Sequence, residues 1–360
     1  MKTTGIIAEF NPFTNGHQYF IDTLRKQGSK NIIAVMSGSF VQRGEPAFAN
    51  KFLRAKTAVQ CGVDLVFELP TPWVLRSAEH FARGGIALLK ATGIVDTIAC
   101  GTEHPDFNFK NCANEIKNKQ AEIKATIQTG KSYAQALSAN IANLPKDPND
   151  ILALEYTKQA GRLKMLYIQR QGNYHNNTLN KFASASAVRA DWDNARKFIP
   201  KFVYETLKNK TGYDKNLFWK LIQYRLITLT PTEIFNVTTA NEGLENVLKK
   251  TQNASSLENA FQLCSTKRYP LSHISRLFAQ LVLCQNRKIW QQKQPKYLRV
   301  LAFNDNGRKL LKAMKNTATL PIITKAKNLY PADVIATDLL ALLQGQNTGI
   351  DFTVSPIYVQ

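Results

Sequence analysis

The chain has 360 residues, 44% of them hydrophobic and 10% aromatic, which is enough apolar material for two or three domains. An intrinsically disordered protein is thereby excluded, because disorder requires a lower apolar content. Lys and Arg number 47 against 26 Asp and Glu, and the resulting formal charge of +21 favours a polyanionic partner such as nucleic acid.

Strands and helices alternate over the first 170 residues. Hydrophobic periodicity predicts strands at 5–9, 31–36, 64–69, 97–100 and 165–168. Helices are predicted from residue 16 onward and at 51–60, 78–91 and 151–159, while 109–142 is expected to form two helices broken near Gly130. This alternation predicts a parallel sheet, which binds ligands at the carboxyl ends of its strands.

The second half of the chain has a different pattern. From about residue 195 it is mainly helical, until a strand is predicted at 298–303 and a helix at 307–314. Residues 320–324 are expected to pair with that strand. We therefore predict three parts: a catalytic domain at 1–195, a helical basic region that binds RNA at 196–295, and a small C-terminal α/β element at 296–360.

The distribution of charge and the cysteines indicate the type of binding partner and the cellular compartment. Residues 1–110 hold 12 basic and 9 acidic side chains, whereas the remainder holds 35 and 17, so the positive surface belongs to the later part. The five cysteines form no C-x-x-C pair, which argues against a zinc cluster or a disulfide framework and favours a reducing cytoplasm. No stretch approaches the ~20 apolar residues of a membrane helix. We expect a cytoplasmic protein with no membrane contact and no metal site of its own.

The segment Thr14-Asn15-Gly16-His17 directly follows a predicted strand and opens a helix. Gly16 allows close approach of the backbone, and a helix start offers unpaired N–H groups and the positive end of a dipole. His17 adds a donor for a phosphate on which charge grows in the transition state. For the tetrapeptide alone, a helix-capping His17 is an equal alternative, and the flanking strand and helix favour the anion site.

This segment resembles the H/T-x-G-H signature of the nucleotidyltransferase superfamily. The second signature of that superfamily is a serine-rich stretch ending in Arg, and residues 183–189, Ala-Ser-Ala-Ser-Ala-Val-Arg, resemble it. The resemblance implies that the hydroxyls of Ser184 and Ser186 and the guanidinium of Arg189 clamp the phosphates of ATP.

Longer blocks resemble the bacterial tRNA(Met) cytidine acetate ligase family. They lie at 5–20, 36–47, 64–70, 148–156, 267–269 and 299–303 and follow one another over most of the chain. The resemblance implies an α/β fold, with a Rossmann-like parallel-sheet nucleotidyltransferase domain followed by a mainly helical region and a small C-terminal α/β element. Thr14 stands where this family usually has His, but the wider superfamily accepts Thr there, so ATP binding is still expected.

The same resemblance implies an activity. Members join acetate to ATP, forming acetyl-adenylate and pyrophosphate, and then acetylate the wobble cytidine of elongator tRNA(Met) to N4-acetylcytidine. His17, Arg170, Arg189 and Mg²⁺ are the expected neutralisers of the departing pyrophosphate. An anticodon loop presents the base splayed out of its stack, as the second step requires.

The expected site residues follow from motif positions. The catalytic residues are His17, Thr14, Arg43 and Arg189. The nucleotide contacts implied by the resemblance are Ile7, Ala8, Glu9, Phe10, Asn11, Pro12, Phe13, Thr14, Asn15, Gly16, His17, Gln18, Tyr19, Phe20, Gly101, Asn149 and Arg170.

Two assignments outside the main motif have structural alternatives. The loop with Gln42 and Arg43 after the second strand is expected to hold acetate or the reacting phosphate, although an ordinary surface loop fits equally well. Lys267, Arg268 and Arg276 are candidate contacts to the tRNA backbone. For them the alternative is a solvated turn next to a packed helix face.

Two other functions remain open. A small-molecule adenylyl- or cytidylyltransferase of the same superfamily is supported by the Thr-x-Gly-His variant but does not need the net +18 outside the first 110 residues. A non-catalytic RNA-binding protein that kept the fold is the second alternative. The intact Gly16, His17 and Arg189 argue against it.

Overall fold

The computed structural model describes residues 2–131, 133–171, 181–209, 212–241, 243–264, 269–283 and 286–360. The strands are β1 (Thr3–Ala8), β2 (Asn31–Ser37), β3 (Leu65–Leu69), β4 (Thr97–Thr102), β5 (Lys164–Gln169), β6 (Leu298–Phe303), β7 (Ile322–Ile323) and β8 (Ile357–Tyr358). The helices of the first half are α1 (Asn15–Lys26), α2 (Lys51–Gln60), α3 (Thr71–Val74), α4 (Ala78–Ala91), α5 (Phe109–Asn118), α6 (Gln120–Gln128), α7 (Tyr133–Asn140) and α8 (Pro148–Ala160). The later helices are α9 (Ala185–Ala190), α10 (Lys201–Leu207), α11 (Lys215–Thr228), α12 (Pro231–Val237), α13 (Leu244–Lys250), α14 (Leu257–Cys264), α15 (Leu271–Leu283), α16 (Asp305–Met314), α17 (Pro331–Leu343) and α18 (Ile350–Thr353).

The strands form one sheet in the order β5-β4-β1-β2-β3-β6-β7, and β8 pairs with β6 beside β7. The strands β1 to β5 pair in parallel, whereas β6 runs antiparallel to β3. The chain passes from β1 outward to β2 and β3, then returns to place β4 on the other side of β1. The strand order therefore reverses between β1 and β4, where open α/β sheets form a ligand crevice.

Both faces of the sheet are covered by helices, which explains why the central strands are apolar throughout. In β2, Ile33 and Val35 point to a core that includes residues of α4, α5 and α8, while Ile32, Ala34 and Met36 point to a core shared with α1, α2, α9 and α10. A strand buried on both sides reads as a continuous hydrophobic run because successive side chains face opposite ways.

The helices after residue 214 build a third core of their own. It joins α11, α12, α13, α14, α15 and α17 around the fully buried Trp290, whose indole N–H donates to the carbonyl of Val237 at 2.8 Å. Phe40 and Leu75, from the loops that follow β2 and α3, belong to the same core. The helical part therefore packs directly against loops at the carboxyl edge of the sheet.

A buried cluster of charges joins the early and late parts of the chain. Lys51 Nζ lies 2.7 Å from Glu68 Oε1 and 2.9 Å from Asp351 Oδ1. Arg299 contacts the same two carboxylates, each at 3.0 Å. Because α2, β3, β6 and α18 each supply one member, this cluster fixes the C-terminal residues onto the sheet.

The α/β fold expected from the sequence is confirmed, with one error among the helices. Residues 109–142 form three helices instead of two, since α5 ends at Asn118 and α6 starts at Gln120. The extra break lies at Lys119, whose Nζ donates to Glu115 and to the carbonyl of Asn140, and so ties the turn to the end of α7. Pairing of 320–324 with the strand at 298–303 is confirmed, because β7 is parallel to β6.

Within the described ranges, no helix is both long and apolar enough to cross a bilayer. The boundaries at residues 195 and 295 stay a prediction. The strand β6, from the predicted C-terminal element, extends the same sheet as β1 to β5.

Candidate active site

A cavity of about 270 Å³ lies at the carboxyl ends of β1 and β4, at the point where the strand order reverses. Most of the residues that the sequence assigned to the nucleotide line it: Ile7, Ala8, Glu9, Phe10, Asn11, Thr14, Gly16, His17, Tyr19, Phe20, Arg43, Gly101, Asn149, Arg170, Ser184, Ser186 and Arg189. Pro12, Phe13, Asn15 and Gln18 do not, and Phe13 is fully buried beneath the turn.

His17 is fixed in one orientation by the start of α1. Its Nδ1 accepts the backbone N–H of Thr14 at 2.9 Å and lies 3.0 Å from the Thr14 hydroxyl. The rings of Phe10 and Phe13 pack against the imidazole, with centroids 5.2 and 5.4 Å away. With Nδ1 engaged as an acceptor, the ring proton of the neutral form sits on Nε2 and is available as a donor to the cavity.

The same surroundings keep His17 uncharged. Burial, followed by the positive charge of Arg170, lowers the pKa of His17 to about 3. The imidazole is therefore neutral at every physiological pH, and it offers a hydrogen bond to a phosphate instead of a positive charge. The capping interpretation and the anion-site interpretation of His17 are compatible, because Nδ1 caps the helix while Nε2 has no hydrogen-bond partner among the residues that the structure describes.

Gly16 is not required by the packing of the protein itself. A Cβ built at this position would meet only the Thr14 hydroxyl oxygen, at 3.6 Å, which is an ordinary contact. Since Gly16 lines the cavity at the first turn of a 12-residue helix, the missing side chain leaves room for a group lying against the helix N–H groups. This is the geometry that a phosphate requires.

The serine-rich stretch meets the N-terminal turn across the cavity. Arg189 Nη1 donates to the carbonyl of Asn11 at 2.7 Å, and its Nη2 lies 3.4 Å from the hydroxyl of Ser186. The hydroxyl of Ser184 accepts the N–H of Ala187 at 3.1 Å and so caps α9. Arg189 and Ser186 therefore stand next to the predicted phosphate site, and Ser184 is partly occupied as a helix cap.

On the β4–β5 side, a polar network orients Arg170. Its Nη1 lies 3.4 Å from Asn149 Oδ1, and its Nε lies 3.7 Å from Glu103 Oε1. The amide of Asn149 donates to the same Glu103 oxygen. A Cβ on Gly101 would approach Arg170 Cγ at 3.1 Å, so glycine gives this side chain its path into the cavity. Glu103 therefore orients both Arg170 and Asn149. Nothing in the sequence marks Glu103 as a site residue except that it directly follows a strand.

The loop with Gln42 and Arg43 closes the other side of the cavity. Both residues line it, and the backbone N–H of Gln42 donates to Glu9 Oε1 at 2.6 Å. The ends of β1 and β2, from which the turn at Glu9 and this loop start, are joined by Arg54, a fully buried arginine on α2 that donates to the carbonyls of Glu9, Ser37 and Gly38. Sequence reasoning missed Arg54, since an arginine on a helix ordinarily faces solvent.

Of the three residues predicted to contact RNA, one lies among the described residues. Lys267 and Arg268 fall outside the described residues. Arg276 lies on α15, where it is half-buried and donates to the carbonyl of Gln42 at 3.3 Å. It therefore supports the Gln42 loop, and its contact with RNA stays a prediction.

One group of possible metal ligands lies near the cavity in the described part of the chain: His104, Asp147 and Asp150. Asp150 Oδ1 already accepts the backbone N–H groups of Glu103 and His104, and Oδ2 lies 2.7 Å from His104 Nδ1. These contacts anchor the loop after β4. They give Asp150 a structural role in positioning Glu103.

Comparisons with known proteins agree with this geometry. A family model described as HIGH Nucleotidyl Transferase matches residues 1–356. A protein from Limosilactobacillus reuteri named tRNA(Met) cytidine acetate ligase is 37% identical over 90% of each chain, and one of the same name from Leuconostoc mesenteroides is 35% identical over 99% of each.

Solved structures show the same fold over the full length. Thermotoga maritima TmcAL in an apo form has a TM-score of 0.92 at 27% identity, and a form bound with alpha-thio ATP has a TM-score of 0.89 at 27% identity. Both comparisons cover all of each chain. The chain thus belongs to the HIGH nucleotidyl transferase family and, within it, to the family of tRNA(Met) cytidine acetate ligases.

Proposed function

We propose that this chain activates acetate with ATP and transfers the acetyl group to the wobble cytidine of elongator tRNA(Met). The observation that carries the proposal is the pairing of a neutral His17, with Nε2–H free for the cavity, with Arg170 and Arg189 on the facing walls. Relatives aligned over 90% or more of each chain are named tRNA(Met) cytidine acetate ligases, and a solved relative is described as bound with alpha-thio ATP.

In the first step, an acetate oxygen attacks the α-phosphorus and the bond to the β-phosphate oxygen breaks. The new bond gives acetyl-adenylate, and pyrophosphate leaves with the bonding electrons. His17 donates Nε2–H to a phosphate oxygen, while Arg170 and Arg189 neutralise the charge that develops on the leaving group. The N–H groups at the start of α1 hold the phosphates in line for this displacement.

In the second step, the exocyclic amine of cytidine attacks the acetyl carbon. The C–N bond forms, the carbonyl carbon separates from the phosphate oxygen, and AMP leaves. The net charge of +21 supports an RNA acceptor, because a basic surface gathers a phosphate backbone and steers its approach. The described cysteines are all free, which supports work in the reducing cytoplasm.

Magnesium would enter this site with the nucleotide. Among the described residues of the cavity lining, Glu9 is the only carboxylate, so the protein provides no carboxylate set for a resident divalent ion. Mg²⁺ is commonly held by substrate phosphates and water, and in that form it would offset the charge of ATP.

The proposal is tested by incubating the purified protein with ATP, labelled acetate and unmodified tRNA(Met). We expect label on cytidine, with AMP and pyrophosphate released in equal amounts. Pyrophosphate release with another small substrate and none with acetate would point instead to a small-molecule transferase. RNA binding without ATP turnover would point to a non-catalytic protein.

A further inference from the structure

Glu9 occupies an unusual position in the cavity. It directly follows β1, and in the described lining it is the only acidic side chain, in a cavity that also holds Arg43, Arg170 and Arg189. Its Oε1 accepts the backbone N–H of Gln42 at 2.6 Å, and its own carbonyl accepts Arg54. The side chain is therefore held in place by one oxygen, which fixes the direction of the carboxylate.

The groups around Glu9 come from four different elements. The Gln42 N–H, followed by Arg54 on α2, Arg189 on α9 and Arg43 in the Gln42 loop, lowers its pKa, and the charge of Glu9 in turn raises the pKa of Tyr156 on α8. Burial is the larger effect, so the pKa of Glu9 lies above its usual value of 4.5. A desolvated carboxylate of this kind is a stronger base than one in water.

Transfer of the acetyl group needs a base. The lone pair of the cytosine amine is delocalised into the ring, so the nitrogen becomes a competent nucleophile only if it loses a proton as the C–N bond forms. His17 cannot accept that proton readily, since its Nδ1 is engaged by Thr14 and burial lowers its pKa to about 3. Tyr156 and Cys100, which also line the cavity, have raised pKa values because they are buried, and both stay protonated.

We propose that the Glu9 carboxylate is the general base of acetyl transfer. The amine nitrogen bonds to the acetyl carbon, one amine proton passes to a Glu9 oxygen, and the bond from the acetyl carbon to the phosphate oxygen breaks as AMP leaves with the electron pair. The proton is returned to solvent when the product departs. This inference rests on the proposed function, because it assigns the base for its second step.

Glu9→Gln is a sharp test, because glutamine keeps an oxygen for the Gln42 N–H but loses the negative charge and, with it, the ability to take a proton. Rapid-quench measurements would follow acetyl-adenylate formation and acetyl transfer to tRNA separately. We expect the rate of transfer to fall about 100-fold or more beyond any change in adenylate formation, as loss of a general base does. Equal losses in both steps, or no loss in either, would overturn the assignment.

The pH dependence gives a second readout that a purely structural role would not produce. In the wild-type protein the transfer rate should fall as pH drops through the pKa of Glu9, since the ionised carboxylate is the active form. The transfer rate of Glu9→Gln should not show this fall at low pH. Glu9→Asp should be slower than the wild type but should still show the fall. If the transfer rate of Glu9→Gln still falls in the same way at low pH, another group must cause that fall, and the proposal is refuted.

Glu155→Gln serves as the matched control. Glu155 is a buried carboxylate on α8 whose pKa is also raised by burial, but it pairs with Lys158 outside the cavity lining. We expect both steps to proceed at wild-type rates in this variant. If the wild-type protein itself transfers no acetyl group to tRNA, the proposed function fails, which is a result distinct from a Glu9→Gln variant that transfers normally.

Discussion

His17 shows how one side chain serves the helix and the cavity at once. Nδ1 binds the backbone of Thr14, and Nε2 is left for a ligand. The T-x-G-H pattern predicts this placement because all four residues lie within one turn. The neutral state depends on Phe10, Phe13 and the distant Arg170, and so it required the three-dimensional structure.

Removing the imidazole should impair the first chemical step. In His17→Ala we expect acetyl-adenylate formation to slow about 100- to 1,000-fold, because one preorganised donor to the transition state is lost. His17→Gln, which can place an amide N–H near the position of Nε2–H, should recover part of the rate. ATP–pyrophosphate exchange measures both. A His17→Ala variant with wild-type exchange would remove His17 from the chemistry.

A substitution at Gly16 should affect protein stability and ATP binding differently. Gly16→Ala should fold normally or gain up to about 1 kcal/mol, since alanine is the better helix former and the methyl group meets only Thr14. The same methyl group would occupy space beside the helix N–H groups, so the Kd for ATP should rise about tenfold or more. Thermal denaturation and calorimetric titration give the two values. Unchanged ATP affinity would contradict a phosphate at this position.

At the scale of elements, sequence patterns predicted the secondary structure of single segments and missed the contacts between segments that are far apart in the chain. Up to residue 170 the strands and the helices outside 109–142 follow from periodicity, because each of these predicted elements is buried on a regular face. The contact of Arg189 with Asn11 joins residues 178 positions apart, and here only the resemblance to a known signature placed both at one site. The antiparallel pairing of β6 with β3 has no local signal, since strand direction is set by the path of the chain between them.

Arg54 illustrates a contact network that connects elements. It ties the ends of β1 and β2 by donating to carbonyls at Glu9, Ser37 and Gly38, and the contacts with Ser37 and Gly38 are buried. Arg54→Lys should lower the free energy of unfolding by about 2–4 kcal/mol, because one ammonium cannot reach the carbonyls that the guanidinium spans.

Urea denaturation measures this loss for Arg54→Lys. Lys56→Arg, the reverse exchange at a half-buried position of the same helix, is the control and should stay within about 0.5 kcal/mol of the wild type. Similar stability of both variants would show that the carbonyl network contributes little.

For the molecule as a whole, the junction of early and late segments responds to pH. Asp333 on α17 is fully buried, accepts the N–H of Thr71 at 2.6 Å and lies 3.1 Å from the Tyr297 hydroxyl. Burial, followed by the charge of Glu68, raises the pKa of Asp333 from 3.8 to about 7. Between these values the folded state binds a proton that the unfolded state has released. Asp333 therefore stabilises the fold less and less as pH rises from about 4 to about 7.

Asp333→Asn should remove this dependence, because the amide keeps an acceptor for Thr71 and does not titrate. We expect the variant to lose less stability than the wild type between pH 4 and pH 7, as measured by thermal denaturation at a series of pH values. Asp193→Asn, at an exposed position, is the control and should keep the wild-type profile. Parallel profiles for wild type and Asp333→Asn would rule out Asp333 as the source.

The antiparallel strand β6 also has a consequence for the growing polypeptide. While ribosomes translate the chain, β3 emerges more than 200 residues before the segment that covers its edge. Until then its free N–H and C=O groups offer a template for strands of other nascent molecules. A message truncated upstream of codon 298 would yield a product with this edge permanently open, and we expect it to accumulate as aggregates that the full-length product does not form.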